Sequence, residues 1–117
     1  MATKPKLKPV ELPVQTAKGF LILEWQDAVG AEHYFRNTGR LVTTLLVRND
    51  SESQTTVTFA NQHPDFEEPL KVVVPAGKCA EIGPFAARQF NTVPLNHVYF
   101  ESSQTKDIKF AVKRLGI

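Results

Sequence analysis

Between Gly39 and Phe90 the chain is cut into short apolar runs, each stopped by residues that do not continue a helix: Val47-Arg48-Asn49-Asp50, Val74-Pro75-Ala76-Gly77 and Ile82-Gly83-Pro84-Phe85. Proline lacks the amide hydrogen that a helix needs, and Asn and Gly accept left-handed backbone, so these stops read as turns between strands. The runs themselves have strand periodicity. Thr55 to Ala60 alternates Val57 and Phe59 with Thr56 and Thr58, the pattern of a strand with one face on a core and one in water. His97 to Glu101 directs Val98 and Phe100 inward. Asp107 to Leu115 does the same with Ile108, Phe110 and Val112, and presents Asp107, Lys109 and Lys113 to solvent. Leu41 to Val47 is so apolar that both of its faces must be covered, which places it centrally.

The remaining segments complete a β-domain. Phe20-Leu21-Ile22-Leu23-Glu24-Trp25 predicts a buried strand. Ala31 to Phe35 predicts another, joined to Leu41–Val47 in a hairpin through Asn37-Thr38-Gly39. Leu70 to Val74 and Lys78 to Ile82 form a second expected hairpin about Pro75-Ala76-Gly77. Short strands at spacings of about 8–12 residues, with no helix of length, give an all-β fold: an antiparallel β-sandwich or jelly-roll-like domain. At 117 residues, 42% of them hydrophobic, one such domain with one core is expected.

Charge divides the chain. The net charge is only +2, yet Lys4, Lys6, Lys8 and Lys18 face the single acid Glu11 within the first eighteen residues. Prolines at 5, 9 and 13 deny helix there. Residues 1–18 therefore read as an extended basic arm and residues 19–117 as the sandwich domain. At about 3.1 Å per residue the arm reaches roughly 50 Å, enough to touch a neighbour. Lys4, Lys6, Leu7, Lys8, Val10 and Leu12 are its candidate partner-binding residues. The single cysteine, Cys79, excludes an intrachain disulfide, suits a reducing cytoplasm and is expected to fill core space. No secretory signal and no run near the roughly 18 apolar residues of a membrane span is present, so a soluble chain without membrane contact is expected.

No catalytic grammar emerges. There is no Gly-x-Ser-x-Gly, no phosphate-binding glycine loop and no activating context around Cys79, and Glu67 and Glu68 would point to opposite faces of a strand. An enzyme is not expected. His33, His63 and His97 lie far apart, and the acidic loop with His63, Asp65, Glu67 and Glu68 lacks the regular ligand ladder of a calcium loop, so neither metal nor cofactor is expected. The lysines of the arm can neutralise phosphates, but no aromatic residue accompanies them for base stacking, and direct nucleic-acid binding is not expected. An acidic protein surface is the simpler target. Phe20, Trp25, Phe59, Phe85, Phe90 and Phe100 mostly occupy core-phase positions, so a sugar-stacking platform would have to come from Tyr34, Phe66 or Tyr99. Gly83-Pro84-Phe85 reads as structural, with Phe85 folding back onto the sandwich edge.

Across roughly residues 20 to 114, the order of segments resembles a family of small proteins encoded beside the major capsid protein of tailed bacteriophages. The residues that carry the likeness are Gly30-Ala31-Glu32-His33-Tyr34-Phe35-Arg36-Asn37-Thr38-Gly39-Arg40, Leu45-Leu46-Val47-Arg48-Asn49, Val57-Thr58-Phe59, Val74-Pro75-Ala76-Gly77 and Ile82-Gly83-Pro84-Phe85. The resemblance implies a capsid decoration or cement protein: a β-sandwich, often a homotrimer, made in the host cytoplasm and seated on the outer surface of the virion's shell, which it reinforces. Its partner would be the major capsid protein, with Lys4, Lys6 and Lys8 meeting carboxylates. The rival from another class is a carbohydrate- or receptor-binding module of a phage tail or surface fibre, which requires an exposed aromatic cluster, with Tyr34, Phe66 and Tyr99 exposed together, or a calcium-dependent loop.

Overall fold

The computed structural model describes residues 9–37, 42–62, 68–92 and 95–115. Its strands are β1 (Val10–Glu11), β2 (Val14–Ala17), β3 (Gln26–Asp27), β4 (Glu32–Arg36), β5 (Thr43–Asn49), β6 (Thr55–Phe59), β7 (Leu70–Val74), β8 (Cys79–Ile82), β9 (His97–Ser102) and β10 (Ile108–Leu115), with one helical turn, α1 (Ala87–Phe90). Two sheets pack face to face. The first has the order β1-β4-β9-β6-β7; the second has the order β2-β10-β5-β8, with β3 sharing the outer edge of β10. The fold is thus the expected all-β sandwich.

Period-two burial explains the core. Val57 and Phe59 of β6, Val98 and Phe100 of β9, and Ile108, Phe110 and Val112 of β10 are all buried, as their alternation predicts. Thr56 and Thr58 face outward. β5 lies between β10 and β8, the central place its apolar run requires. Phe35, Phe59, Phe85, Phe90 and Phe100 form a chain of ring contacts through the core, with centroid separations of 4.9–6.5 Å. Full burial of each large apolar side chain contributes on the order of 1.5–3 kcal/mol.

Both expected hairpins are corrected. β4 belongs to the first sheet and β5 to the second; β7 belongs to the first and β8 to the second. In both places the chain passes from one sheet to the other, and at residues 75–78 it does so through an arch. Turn chemistry at Pro75-Ala76-Gly77, where Gly77 has φ +73°, serves an arch as well as a hairpin. Only β6 and β7 are consecutive antiparallel neighbours within one sheet.

A second correction concerns the arm. Val10–Glu11 pairs in parallel with His33–Tyr34 of β4, and Val14–Ala17 pairs in parallel with Val112–Leu115 of β10. The sheets are therefore mixed rather than purely antiparallel. Leu12, in the crossing between them, is 3% exposed within the core, and its amide donates to the Tyr34 carbonyl at 2.8 Å. The segment straps one open side of the sandwich, as the β7–β8 arch closes the other. Residues 10–17, read as part of the arm, are thus paired into the two sheets. The prolines at 9 and 13 flank these short strands rather than interrupt them, which is where an edge strand tolerates proline.

Two further expectations fail. Phe20–Trp25 is not a buried strand: Phe20 and Ile22 are 80% and 81% exposed, while Leu21, Leu23 and Trp25 are half-buried. Cys79 is exposed, because Ile82 sets the inward phase of β8 and leaves Cys79 and Glu81 on the outside.

His33 is the one fully buried ionisable side chain among the described residues. Its Nε2 accepts from the Val29 amide at 3.1 Å, its Nδ1 has no partner, and its ring lies 4.9 Å from Phe110 and 5.8 Å from Phe100. Burial disfavours the imidazolium and holds the pKa below 6.5. The unfolded chain therefore takes up this proton at a higher pH than the folded one does. Stability is undiminished above about pH 6.5 and falls as the pH drops below it. Urea midpoints measured from pH 8 to pH 5 should show this fall, and His33→Phe should flatten it; an unchanged slope would remove His33 as its source.

Candidate interaction surfaces

Where the strap ends, the chain bends at Lys18-Gly19 and returns beside β2 as the extended stretch Phe20–Trp25. Gln15 holds it there: its amide nitrogen donates to the Glu24 carbonyl at 2.9 Å, and its carbonyl oxygen accepts from the Glu24 amide at 2.8 Å, in the manner of a missing strand partner. The alternation of an extended chain then turns Leu21, Leu23 and Trp25 toward the domain and Phe20 and Ile22 away. Phe20, Leu21, Leu23, Ala17 and Leu115 border an open hollow of about 440 Å³, and Leu115 is itself 52% exposed. Its amide donates to the carbonyl of Val42, another exposed apolar residue.

Lys113 borders the same hollow. Lys18 is exposed, and the Arg114 Nε donates to the Thr16 hydroxyl at 2.9 Å. Lys113 pairs with Glu81 at 2.7 Å; that contact, together with the Thr44 hydroxyl, holds the Glu81 carboxyl below the usual range against the opposing effect of partial burial.

A second surface is the outer face of the five-stranded sheet. Register places Tyr34 opposite Tyr99 and Glu32 opposite Glu101. The two tyrosines are half-buried with centroids 5.1 Å apart, and Tyr34 is also 4.6 Å from His97. Both contacts engage the Tyr34 ring within the protein. Tyr99 borders a hollow of about 260 Å³ with Glu32, Thr58, Ala60, Pro69 and Glu101.

Of the candidate arm residues, Lys4, Lys6, Leu7 and Lys8 lie outside the described residues, as do His63, Asp65, Phe66 and Glu67. Val10 is half-buried in β1 and Leu12 is in the core, so Leu12 serves its own domain rather than a partner. Tyr34 and Tyr99 are brought together; His33 and His97 are not, one being inside the sandwich and the other on its outer face. Among the described residues no group of three or more His, Cys, Asp or Glu stands ready for a metal, and no helix is long and apolar enough to cross a membrane.

Asn37 and Gly83 sit at junctions between strands. Asn37 donates from Nδ2 to the Phe85 carbonyl at 3.1 Å and to the Asn91 Oδ1 at 2.9 Å, and Asn91 donates back to the Asn37 carbonyl at 2.6 Å. Gly83, at φ +121°, passes so close to the Thr43 carbonyl that a Cβ would lie 3.1 Å from it. These contacts tie β4 and β5 to the segment around Phe85 and Asn91. Comparison with protein-family models, curated proteins and solved structures finds no significant match.

Proposed function

We propose that this chain is a structural virion protein that binds the outer surface of a phage head and stabilises the shell. The observation that supports this reading is the apolar flank: Phe20, Ile22 and Leu115 stand in solvent on the rim of one side of the sandwich. Large apolar side chains gathered at one place serve a lone domain poorly and suit a surface that is covered on assembly. The likeness to the decoration family supplies the partner, the major capsid protein. The proposed role is mechanical. Each subunit adds interface area between capsomers, modest contacts repeated over a lattice add through multivalency, and a homotrimer would multiply them again.

Mixing the purified protein with decoration-free capsids tests the reading. Saturable co-sedimentation with a raised heat-disruption temperature of the shell is expected; absence of binding overturns it.

The glycan-binding reading has its own observation, the half-exposed Tyr34–Tyr99 pair. Tyr34 and Tyr99 each contact the other and His97, which keeps the stacking platform small; Tyr99 also borders the hollow of about 260 Å³. Binding to an array of host-surface oligosaccharides, abolished by Tyr99→Ala, would favour that reading.

A further inference from the structure

The outer face of the five-stranded sheet carries the carboxylates Glu32 and Glu101, with Arg36 and Lys71 toward its margins. Glu32 and Glu101 are directly opposite on neighbouring strands, an arrangement that costs stability when both are ionised. Neither has a cationic partner among the described residues. Beyond Glu101 the same row continues to Thr58 and then Lys71, which is two strands away. In the next row Glu11 is exposed beside Tyr34.

Beside the carboxylates lies the 260 Å³ hollow, with the Tyr99 ring, Ala60 and Pro69 as apolar wall and the Thr58 hydroxyl on its border. An aliphatic stem against an aromatic ring, with an ammonium directed at two carboxylates, is the complement of this shape. That description fits a lysine side chain, whose methylenes bury while its head stays polar and which is drawn to aromatic faces.

We propose that this face receives the lysine-bearing segment 1–8 of a second copy of the chain. Residues 1–8 contain Lys4, Lys6 and Lys8 and no acid. Their spacing of two puts all three ammonium groups on one side of an extended chain. The strand that follows this segment, β1, lies at the edge of the same sheet, with Val10 opposite His33, next to Glu32 on β4. Prolines at 5 and 9 favour an extended form, and eight residues at about 3.1 Å each give the lysines a reach of roughly 25 Å. That reach is enough to meet a neighbouring copy.

The inference rests on the decoration reading for the closeness of copies, so its test is run on concentrated free protein, without shells. Full-length protein of natural isotopic content is mixed with an equal amount of 15N-labelled protein and treated with a carbodiimide that joins amines to carboxylates in contact. Links from Lys4, Lys6 or Lys8 to Glu32 or Glu101 are expected between light and heavy copies, at least fivefold above links to the exposed controls Glu24 and Glu52. Tyr99→Ser, checked for unchanged circular dichroism, should lower them at least threefold. Links found only within one isotopic form would assign the segment to its own chain and overturn the second-copy proposal. Links spread evenly over Glu24, Glu52 and Glu101 would overturn docking at this face. Failure of the protein to bind capsids leaves either result readable.

Discussion

Replacing Asn49 with alanine is expected to lower the unfolding temperature by roughly 10 °C, the largest loss of any polar substitution in this domain. Asn49 is fully buried at the end of β5. Its Nδ2 donates to the Ser53 carbonyl at 2.9 Å and to the Val74 carbonyl at 3.0 Å, and its Oδ1 accepts from the Ser51 amide at 3.0 Å and the Ser51 hydroxyl at 2.6 Å. The backbone joins in: the Asn49 amide donates to the Lys78 carbonyl at 2.9 Å, and its carbonyl accepts from the Gly77 amide at 2.8 Å. One residue of the second sheet thereby holds the end of β7 in the first sheet, the β7–β8 arch and the start of the β5–β6 connection. Alanine strands the buried Val74 carbonyl and removes the part-buried bonds to Ser51 and Ser53, for a total of about 3 kcal/mol. Asn49→Asp sharpens the test. It keeps the shape and the acceptor to Ser51 but turns two donors into acceptors aimed at carbonyl oxygens, and it adds a buried charge. Thermal unfolding should find it at least as damaging as alanine; a mild Asn49→Asp would show that the side-chain donors do not hold the junction.

That junction also marks the limit of what the sequence discloses. Alternation in β6 and β10 is legible because each strand has one face on the core, so Val57, Phe59, Ile108, Phe110 and Val112 can be placed without knowing which strands lie beside them. Whether Pro75-Ala76-Gly77 makes a hairpin or an arch depends on which sheet edge receives β8, and that is decided by β5 thirty residues upstream. The arm is misread for a related reason. Prolines 9 and 13 argue against a long strand, and they are compatible with two short ones at sheet edges, where Leu12 finds a core pocket that only the assembled sandwich provides. Cys79 follows the same logic, since its phase is fixed by Ile82. The opposition of Glu32 to Glu101 is a matter of register and has no signature in a sequence where the two residues lie sixty-nine positions apart. Phe20–Trp25 is instructive in another way. Hydrophobicity alone says that this run is covered, and here its own chain covers only one side.

That half-covered run is where the second large effect is expected. The double variant Phe20→Ser, Ile22→Ser should fold with unchanged stability, within about 0.5 kcal/mol, because both side chains already stand in water. Its affinity for decoration-free capsids should nevertheless fall by roughly 30-fold or more. Burying a phenylalanine and an isoleucine in an interface core is worth at least 1 kcal/mol each when they are central to it, and about 1.4 kcal/mol corresponds to tenfold in the dissociation constant. A matched control lies on the opposite side of the sandwich: Val73 of β7 is also half exposed, at 51%, and Val73→Ser changes similar chemistry at the other edge. If the flank is the docking surface, quantitative co-sedimentation will show binding lost in the double variant and retained in the control. Equal loss in both would mean that general surface hydrophobicity drives association. Retention in the double variant together with loss on removing residues 1–8 would place shell binding on the basic segment and leave Phe20 and Ile22 to a different contact. The outcome turns on position, because both variants remove exposed apolar side chains, at two different edges of one sandwich.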